Sequence, residues 1–154
     1  MSIFLVPGLS VRVVGMAVML IPAAFAMAGP SEDANARISQ WSAAYTANDP
    51  EAVVDSYWPD AILLGTVSPV ISEGTEAIRK YFSRVKGSGN KNTLEERRTI
   101  VLGEDAVVVT GFYEFTRMSE GKPLPGPSRF TMLVTKRGSE WRILHHHSSP
   151  HVLQ

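Results

Sequence analysis

Three consecutive histidines, His145-His146-His147, close an apolar segment and are followed by Ser148 and Ser149. Alternation along a β-strand sends His145 and His147 to one face with Trp141 and Ile143, and His146 and Ser148 to the other with Arg142 and Leu144. Two imidazoles two residues apart on one strand have the spacing to hold a Zn²⁺ ion through ring nitrogens. A third ligand would have to come from elsewhere, with Glu114 and Asp60 as the candidates. The competing reading has both histidines hydrogen-bonded at a subunit interface or a pocket mouth. That reading is the expectation, with no metal and no cofactor.

The other face of the strand offers different chemistry. If His146 and Ser148 share the face of Phe112, Glu114 and Met132, they line a pocket with Trp41, Tyr45 and Tyr57. A carboxylate and an imidazole in an apolar cavity can do general acid–base work, with pKa values shifted by burial. Glu114, His146 and Asp60 are the catalytic candidates. The alternative is a buried, fully hydrogen-bonded polar group that specifies packing. Arg129 could hold an anionic ligand or pair with Glu114 or Asp60, and the ion pair is expected. Asp60 follows Pro59, where a turn or cap role is the default.

The elements that must position these groups follow from the pattern. Ser31-Glu32-Asp33 gives a capping residue with acids in the first turn, and Ile38, Trp41 and Tyr45 recur on one helical face. Asp49-Pro50 predicts an N-cap and first helical residue for a short second helix, with Val53, Val54 and Tyr57 inward and Trp58-Pro59-Asp60 stopping it. Ala61 to Leu64 reads as a brief strand and Gly65 to Pro69 as a loop. A third helix after Gly74 buries Ile78, Tyr81 or Phe82, and Val85, with Arg79, Lys80, Arg84 and Lys86 on its solvated side. Gly87-Ser88-Gly89-Asn90 breaks it. From Thr93 the chain is all strand: Leu94 to Leu102, Ala106 to Arg117, Arg129 to Lys136 and Glu140 to Ser148. Met118 to Pro127 forms a long turn. Helices first and a meander after predict an α+β fold. In it a strongly twisted antiparallel sheet curls into a cone around the first helix.

Composition narrows the function classes. The 154 residues carry 44% hydrophobic and 19% charged side chains and no net charge, with a pI of about 6.9. No basic surplus exists to neutralise phosphates, which disfavours nucleic-acid partners. No cysteine is present, so disulfides and thiol chemistry are excluded. An uncharged apolar run after Arg12 ends in Ala26-Met27-Ala28, a small-x-small pattern that predicts a leader over residues 1–28 cleaved before Gly29. The folded domain is then 29–154, periplasmic or secreted. Membrane attachment follows only if the leader stays as an anchor. The run is short for a span and carries Pro22.

Tyr57-Trp58-Pro59-Asp60-Ala61-Ile62-Leu63-Leu64, Glu76-Ala77-Ile78-Arg79-Lys80-Tyr81-Phe82, and Arg129-Phe130-Thr131 with Trp141 to Ser149 occur in that order. The set resembles the bacterial relatives of the calcium/calmodulin-dependent kinase II association domain, within the nuclear-transport-factor-2-like and SnoaL-like superfamily. The resemblance implies the cone-shaped fold, assembly into homodimers or larger rings, and a deep pocket between the first helix and the sheet. The kinase domain lines its pocket with arginines, but two of those positions are Met132 and Ser148 here, so its anion site does not carry over. No Gly-rich dinucleotide motif or flavin signature is present. The fold alone does not give a function. The expectation is an exported, self-associating, non-catalytic domain that binds a small molecule through Trp41, Tyr45, Tyr57, Phe112, Glu114, Arg129, Met132, His146 and Ser148. The alternative is a cofactor-independent isomerase, cyclase or hydrolase acting on a hydrophobic small molecule in the same pocket.

Overall fold

The computed structural model describes residues 29–151. The expected leader and its cleavage point before Gly29 involve residues outside that range. Helix α1 (Pro30–Thr46) buries Ala34, Ile38, Trp41, Ser42 and Tyr45, a stripe at helical spacing. Its N-cap is Gly29 rather than the expected Ser31. Pro30 takes the first helical position, where a missing N–H loses nothing. The helix ends at Asn48, which adopts a left-handed conformation (φ 60°) that asparagine tolerates better than most residues. Its amide donates to the Asn90 carbonyl at 2.8 Å, tying the end of α1 to the start of the sheet.

Helix α2 (Pro50–Asp55) opens on Asp49, whose carboxylate accepts from the Ala52 N–H at 3.0 Å, as the sequence predicts. Strand β1 (Tyr57–Leu64) follows immediately. Trp58-Pro59-Asp60 therefore belongs to a strand and does not merely end a helix. Between Tyr57 and Ile62 the register of β1 slips, so Pro59 sits where its missing N–H interrupts no ladder. A two-residue strand β2 (Ser72–Glu73) precedes α3 (Gly74–Phe82), and a 3₁₀ turn (Ser83–Val85) extends that helix. Ile78, Phe82 and Val85 are buried, and Tyr81 is half-buried.

Strands β3 (Lys91–Val101), β4 (Ala106–Ser119), β6 (Pro127–Arg137) and β7 (Glu140–Pro150) form the meander. The long turn contains a further strand, β5 (Lys122–Leu124), joined to β4 through Glu120-Gly121, both at positive φ. Positive φ at both central residues is what a two-residue hairpin turn requires. The sheet order is β2-β1-β7-β6-β4-β3, and β1 pairs β7 in parallel. It is thus a mixed sheet, antiparallel except at one seam. It curls into a half-barrel with α1 across its inner face. The curl has a local cause at Gly111, where any side chain would meet the Glu96 carbonyl at 2.3 Å beside the β3 register shift. Among the described residues no helix is long and apolar enough to cross a membrane.

One irregularity changes the face assignment of the histidines. Leu133 of β6 pairs with His145 while Val134 pairs with Ile143, leaving Leu144 as an extra residue in β7. The bulge resets the alternation. Trp141 and Ile143 therefore share the inner face with His146 and Ser148, all four buried, whereas His145 is half-buried and His147 exposed. Strict alternation had placed Trp141 and Ile143 with the wrong histidines.

Candidate functional site

A cavity of about 340 Å³ opens between α1, the α3 end and the inner face of the sheet. Trp41 and Tyr45 from α1, Tyr81 and Phe82 from α3, and Tyr113 and Phe115 from β4 make its aromatic wall, with His146 and Ser148 of β7 at the floor. The loop after β1 contributes Gly65 and Thr66. Gly65 is required there, because a Cβ would lie 2.2 Å from the Tyr81 ring.

His146 is the polar centre. Its Nδ1 lies 2.8 Å from the Tyr57 hydroxyl and its Nε2 3.1 Å from the Tyr113 hydroxyl. The Trp41 ring meets the imidazole edge-to-face at 5.3 Å. Burial drives the imidazole pKa down to about 3, helped by repulsion from His145 and His147, so the ring is neutral at pH 7 and carries one N–H. Tyr57 has no acceptor other than Nδ1 among the described residues, so its hydroxyl donates there. The imidazole proton then sits on Nε2 and is donated to the Tyr113 oxygen. This leaves the Tyr113 O–H free at a floor that it shares with Thr66 and Ser148, whose hydroxyls bond one another. The phenol pKa of Tyr113 is raised above its usual value by burial, so it is a neutral donor at the cavity floor. Trp41 Nε1 is buried with no partner.

The other residues singled out from the sequence lie elsewhere. Tyr57 sits behind the floor and acts through His146. Met132 is fully buried opposite His146 on β6 and does not reach the cavity wall. Phe112 and Glu114 lie on the outer face, the phase of β4 opposite to Tyr113. Phe112 stacks on His151 at 4.6 Å, and Glu114 accepts from Thr116 Oγ1. Arg129 donates to Ser149 Oγ and, with Phe112, borders a shallow depression on that face. It therefore has neither expected ion-pair partner. Asp60 pairs instead with Arg137 through two hydrogen bonds at 2.8 and 2.9 Å, which lowers its carboxyl pKa. Glu114, His146 and Asp60 do not converge. Among the described residues no three His, Cys, Asp or Glu side chains are grouped to hold a metal.

Sequence reasoning missed Tyr113, Phe115 and Arg117 on the wall, and Arg84, read as solvated, at its edge. In β4, Val107-Val108-Val109 is apolar in both phases, so alternation does not decide which phase faces inward. A one-residue slip exchanges the two sets.

The family profile of the SnoaL-like domain matches residues 34–153. The chain belongs to the SnoaL-like family. Among solved structures, this SnoaL-like domain is similar to a calcium/calmodulin-dependent protein kinase II association-domain-like protein from Xanthomonas campestris. Identity is 32%, with 81% of this chain and 93% of that one covered, and the TM-score is 0.73. A ketosteroid isomerase-like protein from Erwinia carotovora atroseptica shares 18% identity over 80% of this chain and 97% of its own, with a TM-score of 0.66. A scytalone dehydratase-like protein from Novosphingobium aromaticivorans shares 13% identity over 78% and 83%, with a TM-score of 0.69. At these identities the last two share the fold. No curated protein matches this chain.

Proposed function

We propose that this SnoaL-like domain is an exported, self-associating binding module that holds a small, mainly apolar molecule in the cavity between α1 and the sheet. The observation that carries this reading is the wall itself. Aromatic rings from three elements make most of the lining, Tyr113, fixed by His146, is a neutral group at the floor, and no carboxylate borders the space. A pocket of this kind recognises the shape of an apolar body and orients it through a few polar groups. General acid–base catalysis of the kind considered from the sequence needs a carboxylate beside His146, and neither Glu114 nor Asp60 borders the cavity. Both imidazole nitrogens are already engaged by phenols.

Self-association is supported by the outer face of the sheet, where Ile62 is exposed and Phe112, Leu133 and Leu144 are only half-buried. A second copy would cover it. Native mass spectrometry of the purified chain tests all parts of the reading. The expected result is a dimer or larger ring beginning at Gly29 and carrying an organic mass that a Ser148→Phe variant, which fills the floor, no longer holds. A monomer at micromolar concentration would remove the self-association. A mass beginning at Met1 would remove export with cleavage. Retention of the same mass by the filled variant would remove the cavity as the binding site.

A further inference from the structure

The mouth of the cavity carries positive charge that no acid balances. Arg84, in the 3₁₀ turn after α3, and Arg117, near the end of β4, both border it, and no aspartate or glutamate does. Arg79, Arg98, Arg137 and Arg142 each sit on a carboxylate. Arg84 and Arg117 make no ion pair among the described residues. The Arg84 guanidinium lies 4.5 Å over the Tyr81 ring, which holds it flat against the wall. Tyr45 and Asn90 border the same cavity. Asn90 is itself anchored: its Oδ1 accepts from Met118 N at 3.1 Å and its carbonyl from the Asn48 amide at 2.8 Å. Two guanidinium groups, an amide and a phenol from α1, the α3 end, β4 and the break before β3 thus border one aromatic cavity.

We infer that the ligand is an amphiphilic anion, with its apolar or aromatic body against Trp41, Tyr45 and Phe115 and a carboxylate held between Arg84 and Arg117. This rests on the binding reading above and names the ligand class. The guanidinium fork matches a carboxylate in geometry. Low-dielectric walls concentrate the field of two like charges at the mouth. These arginines stand at positions other than Met132 and Ser148, so the subsite is a property of this chain's own α3 end and β4.

Calorimetric titration of the purified chain with naphthoate and with naphthylmethanol, a neutral molecule of similar shape, tests the inference. Naphthoate binds roughly tenfold more tightly, in keeping with a charge-assisted contact at a partly exposed site. Raising the salt concentration narrows that gap, and the Arg84→Gln, Arg117→Gln double variant abolishes it while still binding the alcohol. Equal affinities in the wild type would overturn the anion subsite and leave the binding reading standing. A preference that survives in the double variant would overturn the assignment to these arginines. Failure of both molecules to bind a folded chain would overturn the subsite and the cavity reading together.

Discussion

The two faces of strand β7 carry the same residue type under opposite conditions. On the inner face His146 is buried, neutral and held between two phenols. On the outer face His147 is exposed and His145 is half-buried, its pKa lowered by burial and by its neighbour. Identical side chains one residue apart thus differ in what they can do, and the difference is set by the Leu144 bulge and by what packs above each face. A sequence motif of histidines is not one site but two environments.

The strongest way to break that contrast is to empty the inner face. Trp41→Ala removes a fully buried ring that touches Tyr45, Phe82, Tyr113, Phe115 and His146, and costs about 3–5 kcal/mol in chemical denaturation. The matching outer-face change, Phe112→Ala, costs less than half of that. Equal losses would mean that the outer face is as well covered as the core.

Protonation sharpens the comparison next. His146 has a folded pKa of about 3, below its ordinary value of 6.5. Its unfolded form therefore takes up a proton first, and stability is full above about pH 6.5 and falls as pH drops toward 3. Within that window the wild type loses up to about 1.4 kcal/mol per pH unit through this one group. In a His146→Gln variant the slope is shallower by that amount. Parallel slopes in urea titrations of wild type and His146→Gln would refute the assignment.

The hydrogen-bond direction gives a smaller effect. Tyr57→Phe leaves buried Nδ1 without its donor and costs about 1–3 kcal/mol at pH 7 by denaturant unfolding. Smaller still is the surface pair. Asp60→Asn weakens the contact with Arg137 and, because both side chains are largely exposed, shifts stability by less than about 1 kcal/mol. Least of all, stoichiometric Zn²⁺ leaves the thermal midpoint unmoved. A rise that disappears in His145→Ala would reinstate a metal at the outer-face histidines.

Much of the architecture was legible because it rests on local rules. The α1 stripe of Ile38, Trp41 and Tyr45, the Asp49 cap with Pro50 behind it, and the four long strands are written in spacing and composition. The strand residues of the cavity wall, by contrast, depended on which phase of each strand faces inward. The Val107-Val108-Val109 run gives alternation nothing to choose by, so Phe112 and Glu114 read as well as Tyr113 and Phe115. The parallel pairing of β1 with β7 joins segments about eighty residues apart, and no local pattern signals it.

The sequence by itself determined the three helices, the four long strands and the absence of thiol chemistry. Those properties follow from backbone propensity and from side-chain type. Only the tertiary structure decided that the Leu144 bulge brings Trp141 and Ile143 to the face of His146, that Tyr57 and Tyr113 meet that imidazole from two different strands, and that Arg84 and Arg117 border the same cavity. Such meetings depend on register and curvature, and one extra residue in a strand is enough to exchange its faces.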